Sequence, residues 1–482
     1  MGNNRGFPRF FIAARRQRSQ RGEAGAVASV FKRRDTDMTE GSIIRLLVAF
    51  SVPLLIGNLF QQLYSTVDSV VVGNYVGKQA LAAIGCTTSI INSLIGLFIG
   101  LSSGAGVVIS QYYGAHEEDK LHRTVQTAIG MTLSLCVLLT ALGVLLTPHM
   151  LRLMQTPEDV FDEAVLYLRI YFWGVTGQLV YNIGAGILRA VGDSTRPLYF
   201  LIFSTLSNTV LDILFVGVLR LGVAGAAYAT ILAQALSALL VMGVLARSRS
   251  AYRVDLGLPR VEPQLLRKIC AIGIPTSLQM VITSVSNIFV QSYVNRFGSS
   301  AMAGWAAYVK IDGIGFLPIT SLAIAMTTFV GQNLGARKID RVKSAAPRCL
   351  GLATGIMIAV LTPIMVFAPQ LVALFNREPE VIRYGTLFLR LISPFYMTAS
   401  INQVYSGALR GAGNTRAPML IMLFSFVFFR QIYLFTAYRL GGGVVPIGLG
   451  YPAGWVMCSV IMLIYYYTSG WLKKYEPDTE TA

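Results

Sequence analysis

Charge is what this sequence of 482 residues has least of. Only 13% of its residues are Asp, Glu, Lys or Arg, about half of the roughly 25% found in soluble globular proteins. With 54% hydrophobic residues and a mean hydropathy of +0.59, such a chain cannot clothe a water-facing surface. Five cysteines exclude a disulfide scaffold, and the abundance of aliphatics excludes disorder. Three histidines, His116, His122 and His149, fall in loops or at span ends. No Cys–His pairing is visible and no acidic pair has metal-ligand spacing, so a catalytic or metal centre lacks its parts. A phosphate-binding glycine loop is also missing, which argues against ATP as an energy source. The sequence does not read as an enzyme and asks for no cofactor.

What it has instead is long apolar runs. A transmembrane β-barrel would alternate polarity in segments of about ten residues, whereas runs such as Leu133 to Leu146 are unbroken. The fold class is an all-α polytopic membrane protein. Twelve spans start near residues 43, 79, 121, 160, 196, 222, 264, 300, 343, 380, 417 and 446, each long enough for the roughly 20 residues a bilayer needs. Twelve is even, so both termini share a side. The net charge of +17 follows the positive-inside rule if that side is cytoplasmic: 29 basic residues then lie in cytoplasmic segments and 7 in external loops,. This expects a multi-pass protein of the cell (inner or plasma) membrane, in contact with lipid and not with nucleic acid.

Residues 1–37 differ from the rest, with nine Lys or Arg against three acids and no apolar span. They lack a signal-peptide core, and Gly6 stands where a myristoylation signal needs Ser or Thr,. A disordered basic extension is expected, with Met38 a natural initiator just before the first span.

Comparing the halves at a fixed shift of 221 pairs Gln111 with Gln332, Gly114-Ala115 with Gly335-Ala336, Arg169 with Arg390, Leu188-Arg189 with Leu409-Arg410 and Gly192 with Gly413. That regularity indicates duplication. Each half holds six spans, so the copies enter the membrane in the same sense, as a parallel pseudo-twofold repeat of two six-helix lobes with a cavity between them. The lobes are expected at 38–248 and 263–475, joined by a polar cytoplasmic linker at 249–262, with a tail at 476–482. This arrangement suits alternating access.

An ionisable group inside a span costs about 2.5–3.5 kcal/mol on insertion scales, and only three acids, Asp68, Asp212 and Asp312, lie well inside spans. Counting 1.5 Å per residue puts Asp68 and Asp212 roughly 10 Å below the outer ends of spans 1 and 5, with Thr230 of span 6 roughly 12 Å down. Asn208 lies one turn below Asp212. Four oxygen-bearing side chains from three helices thus share a layer suited to a hard cation, Na⁺, or to a proton. The alternative is that the carboxylates merely bond neighbouring helices. The second lobe does not copy this layer, carrying Phe429 and Tyr433 at the shifted positions. It has its own charges, Lys310, Asp312 and Arg430; Asp312 is expected to pair with Arg430 or Lys310, and rather with Arg430 because Lys310, two residues away, points to another side of the helix, the pair serving structure or substrate. Pro53 interrupts span 1 below Asp68 and permits a kink, either a moving hinge or a static bend.

With these residues in view, the chain from Thr39 to about Tyr467 resembles the multidrug and toxic compound extrusion (MATE) family. The resemblance rests on Pro53-Leu54 with Gln61-Gln62-Leu63-Tyr64-Ser65-Thr66-Val67-Asp68, on Ser110-Gln111-Tyr112-Tyr113-Gly114-Ala115 and its copy Gly331-Gln332-Asn333-Leu334-Gly335-Ala336, on Leu188-Arg189-Ala190-Val191-Gly192-Asp193 and its copy, and on Asn208-Thr209-Val210-Leu211-Asp212. It implies a monomeric twelve-helix antiporter that exchanges Na⁺ or H⁺ for amphipathic, often cationic, small compounds. It also implies a cation site at Asp68, Asn208, Asp212 and Thr230, and cavity residues at Gln61, Tyr64 and Asn182. Where some branches carry a carboxylate in span 7 this chain has Thr283, which leaves coupling to Asp68. A lipid-linked oligosaccharide flippase of related architecture is the alternative; a strongly cationic cavity would favour it.

Overall fold

The computed structural model describes residues 36–255, 257 and 259–476, and at ten positions of the first two helices, Asp68 among them, the backbone alone. The expected basic extension apart from Thr36 and Asp37, and the tail apart from Glu476, lie outside the described residues. All regular structure among the described residues is helical, as a lipid-facing backbone without water requires.

Among the described residues twelve long rods follow one another. They are α1 (Ile43–Tyr75), α2 (Lys78–Gly114), α3 (Glu118–Leu153), α4 (Glu158–Ala190), α5 (Thr195–Val218), α6 (Gly222–Arg247), α7 (Pro263–Phe297), α8 (Ser299–Gly335), α9 (Ile339–Val366), α10 (379–411), α11 (Arg416–Arg439) and α12 (444–468). Among the described residues, ten rods are long and apolar enough to cross a membrane. The other two are α4 and α10, expected as spans like the rest. They are more polar because α4 opens on Glu158 and Asp159 and carries Arg169, while α10 carries Arg383 and Arg390. They still reach bilayer length at 1.5 Å per residue.

The duplication is visible in the backbone. Left-handed φ angles recur at the shifted positions: Gly77 (+113°) and Gly298 (+92°) at the α1–α2 and α7–α8 turns, His116 (+55°) and Arg337 (+56°) after α2 and α8, Gly192 (+90°) and Gly413 (+75°) after α4 and α10. At the glycines these turns need no Cβ to be displaced. Two π-helical turns break the repeat, Ile213–Val218 directly after Asp212 and Phe424–Phe429 directly before Arg430. Such turns often accompany functional sites.

One large core gathers the second half of the chain, but Ile43, Leu47, Phe50 and Leu54 of α1 belong to it. Another gathers α2 to α6 and includes Ile269 and Ile272 of α7. Each lobe therefore holds the first turns of the other lobe's leading helix. Both leading helices contain a proline near the crossing, Pro53 in α1 and Pro275 in α7.

The seam between lobes is built from α1, α2, α7 and α8, and small residues let the backbones approach. A Cβ on Gly104 would lie 2.6 Å from the Gly273 nitrogen and the Ile269 carbonyl oxygen. At the axis, Gly114 backs onto the Gln332 carbonyl and Gly335 onto the Gln111 carbonyl, one repeat pair packed against another.

Candidate ion and substrate sites

The first site lies where α5 and α6 meet. Asn208 and Asp212 share a face of α5 one turn apart, and both are sealed from solvent, at 1% and 0% exposure. With the Asn208 amide assigned the orientation that suits both of its neighbours, its nitrogen donates to Asp212 Oδ2 at 2.7 Å and its oxygen accepts from the Thr230 backbone N–H at 3.3 Å,. Thr230, also buried, accepts from the Tyr64 hydroxyl of α1 at 3.3 Å on its Oγ1. Three rods thus converge through Tyr64, Asn208, Asp212 and Thr230. The Asp68 side chain lies outside the described residues; its backbone is one turn beyond Tyr64 on α1, on the same face. Tyr64, which the resemblance places with the cavity, sits in this cluster instead. The donors present are hydroxyls, an amide and a carboxylate, all oxygen ligands, which fit a hard cation or a proton equally well.

The corresponding region of the second lobe is built differently. Arg430 is 1% exposed and donates to the Ser286 hydroxyl and, at 3.1 Å, to Asn287 Oδ1, both on α7. Its guanidinium lies 5.0 Å from the Tyr451 ring centre and 5.4 Å from that of Phe426. Asp312 accepts from the Tyr308 hydroxyl at 3.2 Å, one turn away on its own helix, and Lys310 is exposed. The expected Asp312–Arg430 ion pair is not formed among the described residues. Arg430 turns toward α7 and α12, where neutral acceptors and two ring faces take the place of a carboxylate.

The second site is a cavity of about 270 Å³ between the lobes. Gln61 and Asn182 line it, beside Asn58 and Ser102. Its apolar wall includes Ile95, Ile99, Met280 and Ile324. Two lining residues escaped the sequence reading, Arg189 at the end of α4 and Arg410 at the end of α10. The signal was present, because the two are a repeat pair. No described residue lining the cavity is acidic.

Below the cavity, on the side of the chain termini, the lobes are joined by a symmetric pair of hydrogen bonds. Gln111 of α2 donates to the Gly411 carbonyl of α10 at 3.0 Å, and Gln332 of α8 donates to the Ala190 carbonyl of α4 at 2.9 Å. Donors and acceptors are each related by the same 221-residue shift.

Two halves with one topology thus hold a buried polar cluster in one lobe and a cavity between the lobes. The MatE family model matches residues 53–214 and again 275–436, once per lobe. The chain belongs to the MATE family. The relatives it resembles include the probable multidrug resistance proteins YpnP and YoeA of Bacillus subtilis, each 31% identical. The chain aligns to them over 90% of its own length and covers 97% and 95% of theirs. Probable multidrug resistance protein NorM of Thermotoga maritima is 24% identical over 89% of this chain and 93% of its own. Among solved structures, a MATE in complex with MaL6 superposes with a TM-score of 0.86 over 92% of this chain and all of its own. An outward-facing multidrug resistance MATE transporter of the MOP superfamily does so at 0.85 over 92% and 99%; both are 24% identical. As a MATE family member this chain is a multi-pass membrane transporter and not an enzyme.

Proposed function

We propose that this chain is a cation-coupled exporter of amphipathic organic compounds, working as a monomer in the plasma membrane with both termini cytoplasmic. The observation that carries the reading is the Asn208 amide, which ties the buried Asp212 carboxylate to α6 in one lobe only. In this reading Na⁺ or H⁺ binds among Asp68, Asn208, Asp212 and Thr230. Occupancy changes how α1, α5 and α6 pack, and the lobe then releases the compound held between the lobes at Gln61 and Asn182. Coupling of this kind works only if the ion binds the two conformations with different affinity. Pro53 and Pro275 give α1 and α7 a place to bend where they pass from one lobe to the other. The multidrug resistance names of the relatives support an organic cargo, and the family favours export over lipid-linked oligosaccharide flipping. The described cavity wall offers arginines and no acid, which speaks against a cationic cargo.

The test is efflux from proteoliposomes under separately imposed Na⁺ and pH gradients. One of the two gradients should drive efflux, and Asp212→Asn, which keeps the shape of the side chain, should abolish the acceleration while leaving slow downhill exchange. If folded Asp68→Asn and Asp212→Asn variants both respond to the gradient as the unchanged chain does, the coupling site lies elsewhere.

A further inference from the structure

We infer that the cavity floor is an oxyanion site formed by Arg189 and Arg410, and that the compound it takes is an amphipathic molecule bearing a carboxylate, phosphate or sulfonate. The inference rests on reading the cavity as the path of the exported compound, and it specifies the chemistry of that compound.

Arg189 and Arg410 are twofold-related residues from different lobes, yet both line one space. Neither has an ion pair among the described residues. Arg410 makes one long contact, 3.5 Å to the Ser406 hydroxyl, and Arg189 has the cavity-lining Tyr181 as its electrostatic neighbour, whose hydroxyl donates to the Pro197 carbonyl. Elsewhere this protein neutralises or cages its buried cations: Arg196 sits 2.5 Å from Asp193, and Arg430 has Ser286, Asn287 and two rings. Two guanidinium groups sharing a small, partly apolar space repel one another, and each presents a planar set of donors matched to an oxyanion. An anionic group bound in the cavity meets positive charge contributed by both lobes. The Ile95, Ile99, Met280 and Ile324 wall then accepts an apolar body, so the guest is amphipathic with its charged end toward the floor. A competing account has the arginines only complement the C-terminal dipoles of α4 and α10, whose last turns they occupy,. That account predicts no dependence of binding on ligand charge.

The experiment is equilibrium dialysis of the full chain, purified in neutral detergent, with dansylglycine and with its uncharged amide. No gradient is present, so a chain that fails to pump can still bind and the two readings fail separately. The carboxylate is expected to bind at least about tenfold more tightly, the size of one charge-assisted hydrogen-bonded contact. The preference should shrink toward unity in Arg189→Gln and Arg410→Gln and survive in part in Arg189→Lys and Arg410→Lys. Inorganic sulfate should displace the carboxylate and leave the amide. Equal binding of the two probes, or no binding of either, overturns the inference without any variant. So does a preference that persists in both glutamine variants. Efflux of dansylglycine from proteoliposomes under an ion gradient then tests the transport reading on its own.

Discussion

Asn208 joins two helices with one amide, donating to Asp212 and accepting from the Thr230 backbone, so its removal takes one hydrogen bond from a buried carboxylate and one contact between α5 and α6. Asn208→Ala is expected to destabilise the protein by about 1–3 kcal/mol, seen as a lower unfolding temperature in detergent, and to remove any stabilisation by the coupling ion. Thr230→Val keeps the backbone N–H and loses only the hydroxyl that meets Tyr64, so its cost should be clearly smaller. Similar stability loss in the two variants would show that the amide is not the joint. In the second lobe, Arg430 and Asp312 have separate hydrogen-bond partners, with Tyr451 beside both. The double variant Arg430→Gln with Asp312→Asn should therefore be no more stable than the less stable single variant. Rescue of one by the other would restore the ion pair expected from opposite charges at equal depth. That expectation failed because depth along a helix does not say which neighbour a side chain faces.

At the scale of helices, the seam depends on residues with no side chain at all. A Cβ at Gly104 meets the backbone of α7 at 2.6 Å, and backbone cannot move aside as a flexible side-chain end can. Gly104→Leu should cost about 1–3 kcal/mol, the usual scale of overpacking, and should reduce export. Gly313→Ala in α8, with nothing within 4 Å of its added carbon, should leave export unchanged and hold or slightly raise the unfolding temperature, since Ala suits a helix better than Gly. The sequence showed much of this level. Apolar runs mark the rods because a bilayer sets their length, and the observed starts fall within a few residues of those expected. The 221-residue shift exposed Gln111 with Gln332 and Arg189 with Arg410 as pairs. It did not show that α1 and α7 begin in the opposite lobe's core, since hydropathy says that Leu47 or Ile269 is buried but not against what. Nor did it show that Arg189 and Arg410 share a cavity, for each lies near the end of a rod where a basic residue reads as ordinary topology.

At the scale of the whole molecule, the two lobes are locked on the terminal side by the Gln111–Gly411 and Gln332–Ala190 hydrogen bonds. A transporter that exchanges sides must break both together, so each adds to the stability of this conformation and to nothing in the other. At about 1 kcal/mol per bond, Gln111→Ala should shift the balance roughly fivefold toward opening on the terminal side. Gln332→Ala should shift it further, because Gln332 also accepts from the Met38 backbone N–H at 3.0 Å. The segment carrying Met38 is itself strapped to α8 and α9: Asn333 donates to the Met38 carbonyl at 3.0 Å, and Arg341 to the Gly41 carbonyl at 2.9 Å. A cysteine in place of Ser110, buried beside the cavity at 1% exposure, reports the change in a chain otherwise freed of cysteines. Its labelling by an impermeant thiol reagent from the terminal side should rise in the order unchanged chain, Gln111→Ala, Gln332→Ala, double variant. If labelling is the same in all four, these bonds do not hold the gate, and the seam of glycines between α2 and α7 must carry the closure alone.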